Sequence, residues 1–313
     1  MTSTGLSETG PAEKVRVTEI ADRVFAYVQE PGGWCVSNAG LVIGPEGAMV
    51  IDTAATEKRA RRLKETLAKL ASVPQRFLVN THFHGDHTFG NCVVSDPDTV
   101  IVAHELARQE MIKAGLGLMT LWPEVDWGEV DVLLPQVTFG NRMTLHLDGR
   151  LAELVFVGPA HTTTDIVVWL PGERVLFAGD VLMPGCTPFV QMGSVQGSLR
   201  ALAALRALKP QVVIGGHGPV SGPEALADAE DYLRWLLRTA QQGMAAGLTP
   251  LETAREGGLG DFGAWLEPER GVANLHRAYS ELRGEAEGAQ LDVVRIFGEM
   301  VEYNGGVPPA CYA

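Results

Sequence analysis

The stretch Asn80-Thr81-His82-Phe83-His84-Gly85-Asp86-His87 decides which fold and which chemistry this chain can have. It follows Arg76-Phe77-Leu78-Val79, a short apolar run that predicts a buried strand. Four of its side chains carry metal-binding atoms, so one metal ion can take His82 and His84 while a second takes Asp86 and His87. We expect Gly85 to supply the backbone freedom that a tight turn requires at this point.

Three further candidate ligands follow downstream, and each stands at the end of a strand-like apolar run: His161, Asp180 and His217. Side chains carried on strand ends are held by the scaffold, which fixes the geometry that a metal demands. Imidazole nitrogen and carboxylate oxygen are ligands that zinc prefers, with iron or manganese as alternative occupants. The other three histidines are predicted to be surface or capping residues without a ligand role: His104, His146 and His276.

With these motifs, the segment from Val15 to Gly222 resembles the metallo-β-lactamase superfamily. The resemblance rests on the His-x-His-x-Asp-His motif, the single His161, the Gly179-Asp180 pair and the Gly216-His217-Gly218 turn. It implies one metal ion held by His82, His84 and His161. It implies a second held by Asp86, His87 and His217, with Asp180 and a water or hydroxide bridging two Zn²⁺ ions.

The resemblance also implies hydrolysis. Two divalent ions lower the pKa of a shared water, and one of them polarises the carbonyl of an ester, thioester, lactone or amide. Asp86 is the candidate for orienting the nucleophile and moving a proton to the leaving group. Asp52, at the end of Met49-Val50-Ile51, is predicted to hydrogen-bond a ligand histidine, to cap the helix that follows Thr53, or to do both.

Two positions inside the motif separate branches of the superfamily. Residue 84 is His rather than the Glu of the diiron flavoprotein branch, and residue 180 is Asp where the best-known lactam-hydrolysing branch carries Cys. The pattern is more similar to thioesterases, lactonases and phosphodiesterases. The alternatives that stay open are a lactam hydrolase, a mononuclear iron sulfur dioxygenase and a non-catalytic binding module with the same fold.

Composition restricts the partners. The net charge of −13 repels nucleic-acid phosphates, and no basic patch offsets it. The four cysteines show no paired spacing, which favours reduced thiols in a cytoplasmic protein. The polar first ten residues do not resemble a secretory signal, and no apolar run approaches the roughly 20 residues of a membrane span. We therefore expect a soluble cytoplasmic protein without nucleic-acid or membrane partners.

Strand-like and helix-like segments alternate so as to predict a four-layer αββα sandwich of the α/β class. The expected organisation is a disordered leader over residues 1–13, the metallo-β-lactamase-type domain over 14–222 and a helical extension over 223–313. The extension begins at Pro223 and contains a capping box at Thr249-Pro250-Leu251-Glu252. We expect it to act either as a lid over the site or as a packing surface, including that of a homodimer.

Apolar and aromatic residues predict a wide substrate pocket, for which Trp34, Trp122 and Phe189 are the candidate contacts. The substrate is thus expected to be a small molecule with a bulky apolar acyl group. The segments 33–40, 122–125 and 272–279 are similar to a subgroup of cyclases and thioesterases from aromatic polyketide pathways. That similarity implies release of a polyketide from an acyl carrier protein.

Overall fold

The computed structural model describes residues 14–313, so the leader expected over residues 1–13 lies outside the described part of the chain. The strands, in chain order, are β1 (Val15–Ala21), β2 (Val24–Gln29), β3 (Ala39–Ile43), β4 (Ala48–Ile51), β5 (Gln75–Val79), β6 (Val100–His104), β7 (Val137–Phe139), β8 (Arg142–Leu147), β9 (Arg150–Phe156), β10 (Ile166–Leu170), β11 (Val175–Gly179) and β12 (Val212–Gly215). The helices are α1 (Glu57–Leu70), α2 (Gly85–Thr88), α3 (Asn91–Val94), α4 (Glu105–Ala114), α5 (Val195–Ala207), α6 (Glu224–Ala245), α7 (Pro250–Gly257), α8 (Arg270–Leu282) and α9 (Val293–Tyr303).

The strands form two sheets whose orders follow the chain. One sheet runs β1-β2-β3-β4-β5-β6-β7, antiparallel up to β4 and parallel from β4 to β7. The other runs β12-β11-β10-β9-β8 and is antiparallel except for the parallel pair β11 and β12. Strands β9, β11 and β12 therefore run in the same direction, so their carboxyl ends lie at the same end of the second sheet.

The central core lies between the two sheets. Val42, Met49 and Val79 of the first sheet pack in one buried cluster with Leu154 and Ile166 of the second. A second cluster joins the outer face of the first sheet to α1, and a third joins the outer face of the second sheet to α5, α6, α7, α8 and α9. Helices thus cover both outer faces, which confirms the predicted αββα architecture.

Strands β8 and β9 form a hairpin, in which Asp148 and Gly149 adopt positive φ angles of 48° and 98° between the two strands. An Asp-Gly pair between two strands is typical of such two-residue turns, so the signal was present in the sequence. The short elements α2, α3 and β7 were not predicted, because segments of three or four residues carry little periodicity.

The helical segment after residue 222 packs directly on the second sheet. Thr249 begins α7 as predicted, with its side chain accepting from the Glu252 amide and the Glu252 side chain accepting from the Thr249 amide. Buried Tyr232 of α6 and Asn274 of α8 are joined by a 2.8 Å hydrogen bond. None of the helices in the described part of the chain has the length and apolarity that a membrane crossing requires.

Candidate metal centre

The His-x-His-x-Asp-His motif starts shortly after the end of β5 and runs into the short helix α2. A buried amide pair fixes this loop: Asn91 Nδ2 donates to Asn80 Oδ1 at 2.8 Å, and Asn80 Nδ2 donates to the His87 carbonyl at 3.2 Å. Gly85 is the first residue of α2 and is absent from the positive-φ glycines, so the special backbone freedom that we expected from this glycine is not used. Its small size matters because a Cβ atom would lie 2.4 Å from the Phe89 ring.

The other three candidate residues come from the second sheet. His161 follows β9, Asp180 follows β11 directly, and His217 follows β12 after Gly216. Because these strands share one direction, their carboxyl ends deliver the three side chains to the edge where the motif loop lies. The structure therefore brings together the seven residues that the sequence singled out, and all of them except the half-buried His84 are buried.

One group consists of His82, His84, His161 and Asp180, whose ligand atoms all lie within 4.8 Å of one another. His161 Nε2 is 2.9 Å from His84 Nδ1 and 3.3 Å from Asp180 Oδ2. His82 Nε2 lies 3.8 Å from the same carboxylate oxygen. Three imidazoles and one carboxylate thus face a common point.

The second group consists of Asp86, His87 and His217. His217 Nε2 lies 3.3 Å from Asp86 Oδ2 and 3.4 Å from Asp180 Oδ2, while His87 Nε2 lies 3.1 Å from Asp180 Oδ1. The Asp180 carboxylate therefore contacts histidines of both groups and stands between them.

The buried polar atoms at this centre test whether cations fit it. His82 Nε2, His87 Nε2 and Asp180 Oδ1 are fully buried and make no hydrogen bond of acceptable geometry within residues 14–313. Leaving such atoms unpaired costs about 1–3 kcal/mol each, more for a charged group. Three unpaired atoms that face one another are explained together if divalent cations bind between them, and the nitrogen and oxygen donor set suits zinc.

In the buried histidines, the ring nitrogen that faces away from the centre forms a hydrogen bond with a neighbouring group. His82 Nδ1 pairs with Thr81 Oγ1 at 3.1 Å, and His217 Nδ1 lies 3.1 Å from the Gly32 carbonyl. His161 Nδ1 is bonded to the Phe189 carbonyl. These partners fix the ring orientation and leave Nε2 facing the centre, as is usual for metal-binding histidines. His84 is turned the other way, with Nδ1 towards the centre and Nε2 3.3 Å from Met192 Sδ.

Charges at the centre favour the ionised carboxylates of Asp86 and Asp180, which are the forms that bind a metal ion. Burial raises the pKa of Asp86, but His87 and His217 outweigh it and lower that pKa to about 2. The pKa of Asp180 is well below its usual range, since four surrounding histidines outweigh the effect of burial. Both carboxylates are therefore ionised at neutral pH.

The pKa values of the histidines at the centre are shifted in two opposite directions. Burial, followed by the charge of His161, lowers the pKa of His84 to about 3, and burial lowers that of His82 as well. Burial also acts to lower the pKa of His217, but Asp180 and Asp86 outweigh it and raise that pKa to about 9. A cation binding to His217 must displace this proton, so cation affinity should rise with pH.

Asp52 lies directly behind the centre. Its Oδ2 is 2.9 Å from His87 Nδ1 and accepts the Thr81 hydroxyl at 2.6 Å, while its Oδ1 accepts the Thr81 amide at 2.8 Å. The helix that follows is capped by Thr56, so the alternative role of Asp52 as a helix cap is wrong. Its position matches the predicted hydrogen bond to a ligand histidine.

Replacing Asp52 with asparagine is expected to lower cation affinity or turnover by about 10–100-fold. The oxygen of the new amide can still accept from Thr81, but its NH₂ group would oppose the N–H of His87. The φ of 57° at this position is tolerated by asparagine, so the backbone should be unchanged. Cation titration followed by calorimetry measures the effect, with Asp22→Asn at an exposed position as the control. Equal affinities for the two variants would contradict this role.

The three remaining histidines lie outside both groups of candidate ligands. His104 caps α4 by accepting from the Leu106 amide at 3.2 Å, and His276 pairs with Glu299 at 2.6 Å. The capping role predicted for His104 is confirmed, whereas His276 is buried and caps no helix, so the prediction of a surface or capping position is wrong for His276. Only His146 is exposed.

Comparison with known proteins agrees with this geometry. A sequence model described as the metallo-beta-lactamase superfamily matches residues 32–217, which is more than half of the chain. The chain belongs to the metallo-beta-lactamase superfamily. The match ends at His217, so the superfamily domain carries all seven clustered residues while α6 to α9 lie beyond the matched segment.

Several known proteins are similar to this chain. It is 24% identical to a metallo-beta-lactamase type 2 of Bacteroides fragilis, over 74% of this chain and 90% of that protein. It is 24% identical to a linear primary-alkylsulfatase of a Pseudomonas species, over 68% of this chain but only 48% of that protein. The solved metallo-beta-lactamase from Pontibacter korlensis is 25% identical, covers 71% of this chain and 99% of its own, and has a TM-score of 0.58.

A cavity of about 260 Å³ opens onto the metal centre of this superfamily domain. Its wall includes the three predicted substrate contacts Trp34, Trp122 and Phe189, together with ligand candidates from both groups. Trp34 packs against the other two, with ring centroids 5.5 Å from Trp122 and 5.1 Å from Phe189. Trp122 is only 1% exposed, and its Nε1 donates to the Pro309 carbonyl at 2.7 Å. Substrate contact at these three residues stays a prediction.

The sequence left the helical extension as either a lid over the site or a packing surface, and it did not single out the residues of the last two helices that line the cavity. Arg270 of α8 and Val293, Phe297 and Met300 of α9 line the cavity. The i, i+4 and i+7 spacing of the three apolar residues was a readable signal of one helix face. The spacing does not indicate which part of the protein this apolar face of α9 packs against. Residues 223–313 therefore contribute a wall of the site itself.

Proposed function

We propose that this chain is a dinuclear metal-dependent hydrolase that cleaves an ester, thioester or lactone of a bulky apolar acyl substrate. The observation that carries the proposal is the Asp180 carboxylate, which contacts histidines of both ligand groups. The groups on its two sides would hold two Zn²⁺ ions, with iron or manganese as the alternatives. Bound there, the cations would polarise the scissile carbonyl and lower the pKa of water.

Residues of the chain would orient the water, transfer the proton and bind the acyl group. Asp86 is ionised, faces the cavity and lies next to His217, so it can orient the attacking water and carry a proton to the leaving group. Trp34, Trp122 and Phe189 would bind the acyl group and exclude bulk water from the carbonyl. Asp52 would hold His87 in the required tautomer.

The apolar wall supports a bulky substrate, and aromatic polyketide thioesters carried by an acyl carrier protein have that shape. A lactam hydrolase is the second candidate, because one relative bears that name and matches over 90% of its length. A mononuclear iron oxygenase is less well supported, since the second group of Asp86, His87 and His217 would have no role. The homodimer and the cytoplasmic location remain predictions.

Metal analysis and a substrate panel test the proposal. We expect about two zinc ions per chain after loading, and hydrolysis of acyl thioesters or lactones that stops on chelation and returns with zinc. Zinc at about 1,000 times its Kd should also stabilise the folded state by about 4 kcal/mol for each occupied site. β-Lactams, phosphodiesters and carrier-protein thioesters in the same panel separate the alternatives. Activity that survives exhaustive chelation, or a single iron with oxygen uptake on a persulfide, would overturn the proposal.

A further inference from the structure

Arg270, the first residue of α8, is a buried cation in the wall of the active-site cavity. It is 2% exposed and lines the same cavity as the metal centre. Its Nη1 donates to the Thr187 carbonyl at 3.1 Å and to Met183 Sδ at 3.0 Å. Its Nε has no hydrogen-bond partner, and across residues 14–313 no ion pair or hydrogen bond engages Nη2.

The two carboxyl groups nearest to Arg270 in sequence accept hydrogen bonds from Trp34 and form no ion pair with Arg270. Glu267 accepts the Trp34 amide at 3.3 Å, and Glu269 accepts Trp34 Nε1 at 2.7 Å. Burial also raises the pKa of Glu267 to about 7, although Arg270 acts in the lowering direction, so its charge is partly neutralised near neutral pH. A buried guanidinium that lacks a carboxylate partner is unusual, because desolvation is costly unless an anion compensates it.

The free edge of this guanidinium has a definite shape. Nε–H and the Nη2–H beside it point the same way, and together they form the two-pronged donor that binds a carboxylate through two parallel hydrogen bonds. The Trp34 ring stacks on the group with its centroid 4.2 Å from Cζ, which holds the plane of the guanidinium. The edge is therefore fixed in orientation before any ligand binds.

A second unpaired polar group lies in the same wall. Gln191 is 1% exposed and lines the cavity, and neither Oε1 nor Nε2 of its side chain has a partner among the described residues. Its backbone carbonyl accepts from Arg277 Nη2 at 2.7 Å, which ties it to α8. Apart from these two residues and the metal centre, the wall is mainly apolar, with Phe83, Leu121 and Phe297 as examples.

We propose that Arg270, assisted by Gln191, binds a carboxylate group of the substrate at a distance from the scissile bond. The substrate is then an amphipathic anion, with an apolar body in the aromatic wall and a carboxylate on the Nε and Nη2 edge of Arg270. The inference rests on the proposed hydrolase function for the identity of the cavity as a substrate site. Arg270 lies outside the matched superfamily segment, so this specificity belongs to the helical extension.

A matched pair of ligands tests the proposal without requiring turnover. Naphthalene-2-carboxylate and naphthalene-2-carboxamide have the same shape and differ in charge, and calorimetry on the zinc-loaded full chain gives their Kd values. We expect wild type to prefer the carboxylate, and Arg270→Met to lose that preference by roughly tenfold or more. Arg270→Lys should retain part of it, and Gln191→Leu should reduce it by a smaller factor.

Arg283→Met is the control, because it makes the same replacement at an exposed arginine that ends α8 and does not line the cavity. It should leave the preference unchanged. If zinc alone attracts the carboxylate, Arg270→Met will keep the full preference and the proposal is overturned. The same holds if Arg270→Met weakens both ligands equally, since that result indicates a structural role. Should the hydrolase assay fail while the Arg270-dependent preference remains, only the proposed reaction is rejected.

Discussion

Replacing Asp180 with alanine is expected to abolish tight binding of both cations and to lower hydrolysis by about 10³-fold or more. The reason is geometric: one carboxylate lies within 3.1–3.8 Å of four histidine nitrogens that come from both groups. No other candidate ligand contacts both groups so closely. Its removal therefore weakens both candidate sites at once. Metal content after dialysis and the rate on the best substrate of the panel measure the result.

The control for this variant is Asp231→Ala, which removes an exposed carboxylate from α6 and should leave metal content and rate unchanged. Asp180→Asn is an informative intermediate, because it keeps the side-chain volume while losing the charge. We expect it to bind cations weakly and to stay folded. Two tightly bound cations in Asp180→Ala would show that this carboxylate does not stand between two metal ions.

Replacing Gly216 with alanine is expected to lower cation binding and turnover by about 10²-fold, although Gly216 carries no ligand atom. A Cβ atom there would lie 1.8 Å from Asp180 Oδ1 and 2.9 Å from the backbone carbon of Gly179. The methyl group and the carboxylate cannot occupy the same space, so Asp180 must turn away from the centre. Overpacking of this kind also costs about 1–3 kcal/mol of stability.

Gly172→Ala is the matched control, because a Cβ atom at Gly172 would meet no atom within 4 Å. Neither glycine is among those with positive φ, so both substitutions are acceptable to the backbone and differ only in space. Thermal unfolding and metal analysis of the two variants separate the steric effect from loss of the fold. Wild-type metal content in Gly216→Ala would contradict the steric explanation.

The sequence was a good guide to the metal centre because each candidate ligand stands next to a buried strand. Apolar residues fix where a strand ends, and a His or Asp placed there has few positions to occupy. His161, Asp180 and His217 each follow such a run, and the parallel directions of β9, β11 and β12 bring them together. The αββα layers follow from the same alternation of apolar strands and amphipathic helices.

The sequence was a poorer guide to the cavity wall. Trp34 lines the cavity, but its partners Glu267 and Glu269 lie more than 230 residues away in the chain. Arg270 has no local pattern that separates it from a surface arginine, since only contacts with Trp34 and Thr187 show that it is buried. His104 and His276 illustrate the same difficulty, because their burial depends on neighbouring elements.

The sequence by itself determined which residues can bind metal and the order of the layers that carry them, since both depend on local periodicity and residue type. Only the tertiary structure decided which nitrogen of each histidine faces the centre, why Gly216 must lack a side chain, and that α8 and α9 complete the cavity. Those properties depend on distances between segments far apart in the chain. Such distances are set by packing of whole elements, which local patterns do not encode.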